Sequence, residues 1–402
     1  MIKPTSVGER VVSIDIIRGF ALLGILLANM VAFKTPVFQD SGVFSEGRLL
    51  IDGRLNEVAN FLVTLFVDGK FYPMFSLLFG IGFYFFYERT QEKGLNGTSL
   101  FIRRALFLLI LGLIHLTFIW SGDILHTYAV AGLFLLFFIN RTTKVILTWG
   151  ITLLLLSMVA MLFLLLGSGA LIQIDPDYYI SQKEVVDQAL LVYSTGSVSD
   201  VFYFRFYHEV LYSLFNLILT VPNVLGLFLV GLYIAKKGYL QEPCKHQHIW
   251  RKLNKHTLWS GGGLTLLFAL LLNVEFTSPY WLLYALAHSL NIIAGPLLML
   301  WYVSSIVLLV QKKRVLHKLQ PIGSVGRMAL TNYLLQSLVF VFIFYGYGIG
   351  MFGKIGAFKG ILFALLLYSL QVIISHIWLK YFNQGPLESL WRKWTYQQTS
   401  SI

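Results

Sequence analysis

Cysteine is almost absent from this chain. Cys244 is the only one in 402 residues, so no disulfide can close within it. Zinc sites built on paired cysteines are excluded with it. His246, His248 and His256 have no acidic or cysteine partner at ligand spacing, and they read as part of a solvated basic loop with no metal. Charge is scarce too. Charged residues make up 12% of the chain and hydrophobic ones 57%, with a mean hydropathy of +0.72. Soluble domains carry about 25% charged residues. A chain this apolar is neither disordered nor able to cover its own surface in water, so its solvent is lipid. Nucleotide and peptidase signatures are missing as well: there is no Walker loop, no dinucleotide glycine fingerprint, no HExxH and no GxSxG. No internal repeat is visible, which argues against a transporter built from inverted repeats.

What the chain has is long apolar runs. A spanning helix takes roughly 20 mostly apolar residues. Ten stretches meet or approach that, at about 13–33, 57–87, 101–120, 124–139, 145–167, 209–235, 257–274, 281–310, 328–347 and 358–382. The expectation is an all-α polytopic integral membrane protein of about ten spans, multi-pass in a bacterial cell membrane. With the N-terminus inside, 23 of the 31 Lys and Arg residues fall on the inner segments. That alternation puts both termini in the cytoplasm and accounts for the net charge of +12 without any nucleic acid. The basic inner loops are suited to touching membrane lipid headgroups. Three parts follow along the chain: a four-span half over 1–140, a fifth span with an acidic outer loop over 141–208, and a five-span half over 209–402. The acidic loop, about 168–208, is expected to include amphipathic helix at the interface.

Ionisable residues inside spans are costly, so each is a candidate for function. In the first span Asp15 and Arg18 are i,i+3 neighbours, able to pair as a helix anchor or to form an inner-mouth anion site. Asn29 lies about three turns further out. The second stretch is too long for one straight helix, about 46 Å at 1.5 Å per residue. It breaks at Asp68-Gly69-Lys70-Phe71-Tyr72-Pro73. Lys70 and Tyr72 there either line a cavity or serve packing alone. His115, near the outer end of its helix, and Asp123, after a tight Ser121-Gly122 turn, read singly as a core histidine and a helix cap. Together they are the minimal set for a general base oriented by a carboxylate, with Asn29, Lys70, Tyr72 and Tyr128 lining the substrate pocket. Asn332 and Gln336 share a face of the ninth span, as interhelical glue or as substrate contacts. Arg18, Arg103, Arg104 and Arg327 lie near the inner face, where they could hold phosphates.

Several strings resemble those of a known family. Ser13-Ile-Asp-Ile-Ile-Arg-Gly19 through Asn29, Gly69-Lys-Phe-Tyr-Pro-Met-Phe-Ser76 through Gly82, His115, Gly122-Asp-Ile-Leu125, Gly326-Arg-Met-Ala-Leu-Thr-Asn-Tyr333 and Gly385-Pro-Leu-Glu388 look like YeiB-like bacterial membrane proteins, over about residues 10–396. The first half also resembles, distantly, a superfamily of transmembrane acyltransferases that includes heparan-α-glucosaminide N-acetyltransferase and sugar O-acyltransferases. That resemblance implies a ten-helix core and an acyl group passed from cytosolic acyl-CoA to a cell-envelope glycan or lipid. It also implies a homodimer among the states open to the protein; the Asp15–Arg18 opening and the Arg18-to-Asn29 spacing are what the two groups share, and Asp15 joins the four inner arginines as the candidate contacts for the donor. Asn29 stands where the sugar O-acyltransferases have histidine. The heparan enzyme keeps asparagine and draws its histidine from the next outer loop. Here that loop, 34–56, has none, which moves the base to His115. The alternative class is a transporter or a lipid-, quinone- or small-molecule-binding protein without covalent chemistry.

Overall fold

The computed structural model of the chain describes residues 12–36, 51–273 and 279–396, and among these it is all α-helix and turn. Most of the first outer loop, 37–50, lies outside the described residues, as do Lys3, Arg10 and Arg48. Helix α1 (Val12–Lys34) is followed by α2 (Arg54–Phe66), α3 (Phe71–Glu92), α4 (Gly97–Ile114), α5 (Leu125–Leu135) and α6 (Thr143–Ile174). Then come α7 (Pro176–Thr195), α8 (Val198–Arg205), α9 (Leu211–Phe215), α10 (Leu217–Lys236), α11 (Gln247–Asn273) and α12 (Tyr280–Val310). The chain closes with α13 (Lys313–Arg327), α14 (Ala329–Phe344), α15 (Ala357–Tyr381) and α16 (Pro386–Tyr396).

Among the described residues seven helical segments are long and apolar enough to cross a bilayer, and the pair α13–α14, bent by 72° at Met328, makes an eighth when counted as one span. The ten expected stretches differ from these through α5 and α11. Helix α5 has 11 residues, a rise of about 16 Å, short of a hydrocarbon core about 30 Å thick. Helix α11 is long enough, but its first turns carry Arg251, Lys252 and Lys255. The acidic outer loop is helical: α6 runs on to Ile174, and α7 and α8 occupy the rest.

Burial follows the logic of a bilayer. Helix α1 is central and packs against α3, α12, α13, α14 and α15, so the two halves of the chain form one body. Helices α6 and α15 are peripheral. Phe163 and Leu366 on them are 69% and 62% exposed, an apolar surface matched to lipid tails. Small residues let backbones meet at the centre: a Cβ on Gly19 would lie 2.0 Å from the Ile322 carbonyl oxygen of α13, and one on Gly326 would lie 1.9 Å from that of Asp15. The second stretch is broken, as its length required. Val67–Lys70 form a turn with Gly69 at φ +79°, and Pro73 sits in the first turn of α3, where its missing N–H costs nothing. Helix α12 seals that break, with Gly295 pressed on the Gly69 carbonyl and Asn291 Nδ2 donating to the Asp68 carbonyl at 3.2 Å. Irregular backbone at this depth is tolerated only against such protein cover.

Candidate functional site

The C-terminal end of α4 does not finish as an α-helix. Its last turn, His115–Ile119, is π-helical, with the Trp120 N–H reaching back to the His115 carbonyl. Such a turn inserts a residue and re-aims side chains, and it recurs at functional sites. Here it turns His115 inward. The Trp120–Ile124 turn then brings Asp123 back against α4. The close approach needs Gly112, where a Cβ would lie 2.4 Å from the His126 nitrogen and 2.9 Å from Asp123 Oδ1.

Asp123 meets two histidines. Its Oδ2 is 2.8 Å from His115 Nδ1, and its Oδ1 is 2.7 Å from His126 Nδ1. Oδ1 also accepts the His126 N–H at 3.0 Å and so caps the start of α5. The cap and the oriented imidazole, set apart as rival readings of the sequence, are both present. An ionised carboxylate only accepts hydrogen bonds, so both imidazoles carry a proton on Nδ1, and in a neutral ring that leaves the lone pair at Nε2. His115 is fully buried, and its Nε2 has no hydrogen-bond partner among the described residues. His126 Nε2 faces Ser213 Oγ at 3.5 Å and Thr127 Oγ1 at 3.4 Å. His126 is a site residue that the sequence does not single out; its one signal is the i,i+3 spacing from Asp123 at the start of α5.

A cavity of about 240 Å³ lies toward the opposite end of α4. Arg18, Arg104 and Arg327 line it, with Glu388 as the carboxylate among the lining residues, and its body is phenylalanine and leucine. Tyr128 and Tyr333 line it as well. Tyr128 donates to the Tyr72 carbonyl at 2.9 Å and is 2.7 Å from Ser76 Oγ. The Tyr333 ring packs 5.4 Å from that of His115, and its hydroxyl reaches the Gly122 carbonyl at 3.4 Å. Tyr333 is thus the wall between the cavity and the histidine pair, a role that nothing in its sequence position announces. His115 and Asp123 are not on the cavity wall.

Helix α16 packs at the arginine end of the cavity, where Glu388 and Trp391 line it. The Arg104 guanidinium lies 4.0 Å from the Trp391 ring and 4.8 Å from that of Phe86. Trp391 and Trp394 donate to the Arg104 and Arg103 carbonyls, both at 3.1 Å. Arg327 donates to the Asn383 carbonyl at 3.0 Å. Arg18 stays beside Asp15 at 3.4 Å.

Other residues singled out in the sequence lie elsewhere. Lys70 is fully buried, but its ammonium donates to the Thr64 carbonyl at 2.8 Å and lies over Phe268, in the break between α2 and α3. Asn332 donates to Ser375 at 3.0 Å and Gln336 to Gln371 at 2.8 Å, which makes them interhelical ties between α14 and α15. Asn29 is half-buried, one turn before Phe33, whose ring stacks on Trp120. Among the described residues no group of three or more His, Cys, Asp and Glu is arranged to hold a metal.

Comparison with known proteins gives a family and several relatives. A family profile described as "Protein of unknown function (DUF418)" matches residues 234–398. YxaH of Bacillus subtilis (strain 168) is 33% identical over 98% of this chain and 96% of its own length. A 39.9 kDa protein from the amylase 3′ region of Bacillus acidopullulyticus is 31% identical over 99% of this chain and 97% of its own. YeiB of Escherichia coli (strain K12) is 29% identical over 96% of each.

Proposed function

This chain belongs to the DUF418 family of YeiB-like proteins, and on that footing we propose that it is a membrane-embedded acyl-transfer enzyme of the bacterial cell membrane. In this reading both termini are cytoplasmic. The donor is a cytosolic acyl-CoA and the acceptor is a hydroxyl or amine of an envelope glycan or lipid.

One observation supports the reading more than any other. The cavity has three guanidinium groups at one end, an apolar body, and Tyr333 at the other end against His115. Three guanidinium groups on the wall of an otherwise apolar cavity, with Asp15 beside Arg18 and Glu388 on the same wall, suit an anionic head joined to an apolar tail. Guanidinium groups match phosphates in geometry as well as charge. An anionic head on the arginines leaves the acyl end in the apolar body, directed at Tyr333. In the transfer, the acceptor oxygen or nitrogen forms a bond to the thioester carbonyl carbon as the carbon–sulfur bond breaks. His115 Nε2 takes the acceptor's proton, which ends on the departing thiolate, while Asp123 holds the imidazole in the tautomer that can accept it.

A second reading is favoured by a different fact: His115 is sealed behind Tyr333 rather than exposed to the cavity. In that case the cavity carries an anionic amphiphile and no covalent chemistry follows. Purified protein in nanodiscs, given radiolabelled acyl-CoA and envelope extract, separates the two. Release of free thiol with transfer of the label, reduced at least tenfold in Arg104→Ala and His115→Gln, supports the enzyme. Saturable binding with no thiol released supports the carrier. No binding at all removes both.

A further inference from the structure

We propose that Ser213, His126 and Asp123 form a second reactive centre that opens to the bilayer, with Ser213 as a nucleophile toward the carboxylic esters of membrane lipids. This goes beyond the acyl-CoA reading, because neither Ser213 nor His126 lines the arginine cavity.

The three residues stand in the order that activates a serine. Asp123 Oδ1 is 2.7 Å from His126 Nδ1, and His126 Nε2 is 3.5 Å from Ser213 Oγ. The carboxylate fixes the imidazole with its proton on Nδ1, so Nε2 is the basic atom facing the hydroxyl. At 3.5 Å the serine–histidine contact is longer than a formed hydrogen bond, as such contacts often are before substrate binds and tightens the geometry. Asp123 and His126 are both buried, at 7% and 1% exposure, which protects the relay from water.

The local fold explains how Ser213 comes to face a histidine 87 residues away in sequence. Between α8 and α9 lies a second π-helical turn, Phe206–Val210, with the Leu211 N–H reaching back to the Phe206 carbonyl. Its extra residue rotates α9 by about 100° relative to a continuous α-helix, and this register turns Ser213 toward α5. The two π turns pack on each other, and α8 packs on the first as well: Arg205 Nη1 donates to the Thr117 carbonyl at 3.4 Å, and the Phe118 and Phe202 rings stack at 5.6 Å.

Access identifies the substrate class. Ser213 itself is half-buried, while Tyr212 and Phe215 beside it are 61% and 74% exposed and Tyr207, two turns before, is 65% exposed. An apolar and aromatic rim of this kind belongs to the lipid interface, so whatever reaches Ser213 arrives laterally from the membrane. In the first step Ser213 Oγ bonds to the ester carbonyl carbon and the bond from that carbon to the alcohol oxygen breaks. The serine proton passes through His126 Nε2 to the departing alkoxide, which leaves as the alcohol. In the second step a water or lipid hydroxyl attacks the acyl-serine, and its proton returns by the same path to Ser213.

The test uses the full-length protein in phospholipid nanodiscs and a long-chain alkyl fluorophosphonate, which phosphonylates activated serines whatever their natural ester. Peptide mass spectrometry is expected to find one adduct per chain, on Ser213. It should disappear in Ser213→Ala, fall at least tenfold in His126→Gln and persist in Ser168→Ala. Ser213→Cys, challenged with a lipophilic maleimide, reports whether the position is open to the bilayer, independently of its activation. No adduct on the wild type, an adduct on Thr127 instead, or an unreactive thiol in Ser213→Cys overturns the proposal. Acyl-CoA binding, measured in the same nanodiscs, reports on the cavity alone, so the two proposals fail separately.

Discussion

Asp123 accepts three hydrogen bonds in a site closed to water, two from imidazole rings and one from backbone. Replacing it with asparagine separates charge from shape. The side-chain amide offers one acceptor oxygen and one N–H-bearing nitrogen in place of two acceptors, so one of the two histidines has to move its proton from Nδ1 to Nε2. That histidine can no longer accept a proton. Hydrogen bonds to a charged group contribute about 1.5–3 kcal/mol each, so Asp123→Asn is expected to lower stability by a few kcal/mol at most while removing activity by orders of magnitude. A detergent melt beside a turnover assay checks this, and retained activity would show that neither imidazole acts as a base. Gly112 is the steric counterpart. Its added Cβ would meet the His126 backbone and Asp123 Oδ1, so Gly112→Ala is expected to cost about 1–3 kcal/mol as overpacking and to displace Asp123 from its histidines. A lowered melting temperature together with a shifted histidine NMR resonance is the expected outcome.

Among the helices, α16 is a clasp on the arginine mouth. Glu388 Oε1 accepts the N–H groups of Leu330 and Thr331 at 2.8 and 3.1 Å, and Oε2 accepts the Thr331 hydroxyl at 2.6 Å. A carboxylate on the first turn of α14 satisfies orphan donors and complements the helix dipole. Glu388→Ala is expected to cost about 1–3 kcal/mol and to free α16, exposing Trp391 and Trp394. Faster proteolysis after Gly385 and a red-shifted tryptophan emission would report it, and an unchanged digest would mean that the two tryptophans alone hold the helix. Helix α8 provides the pH counterpart outside the bilayer. Its capping box pairs Ser197 with Asp200, and the Ser197 hydroxyl and N–H hold the Asp200 carboxyl below the usual carboxylate range. A depressed folded pKa means a contribution that is complete above the ordinary carboxylate value and is lost as pH falls through the folded one. Amide exchange at Ser197 is therefore expected to accelerate in acid below about pH 4, before the spanning helices change.

For the molecule as a whole, the membrane topology is the first thing to measure. The proposed orientation, with both termini cytoplasmic, requires the α7 helix bearing Lys183 and the turn bearing Lys245 to lie on opposite sides. Reporter fusions or thiol labels at those two positions are expected to give opposite accessibility in intact cells. The same side for both would require one span more or fewer between them. The spans themselves are legible in sequence because apolar length is a local property: α1, α6, α10, α12 and α15 fall where hydrophobic runs of bilayer length place them. Helix α5 is shorter than its apolar run, which continues through Leu136–Ile139 after the helix has ended in turns. The bend at Met328 is hidden in sequence because Pro321 and the basic residues of α13 conceal the start of an apolar pair.

Composition, length and near-neighbour spacing are enough to establish that this chain lives in lipid, that its second stretch breaks at Gly69, and that Asp123 stands one tight turn beyond His115. All three are local properties, and near neighbours in sequence stay near neighbours in space. Packing between distant helices accounts for the rest. It paired His126 with the second oxygen of Asp123, brought Ser213 to that histidine through two π turns, and placed Tyr333 between His115 and the cavity. It also moved Lys70, Asn332 and Gln336 out of the site and into packing between helices. The reason is geometric: which face of a helix meets which neighbour depends on its rotation about its own axis. One inserted residue changes that rotation by about 100° and leaves no trace in hydropathy.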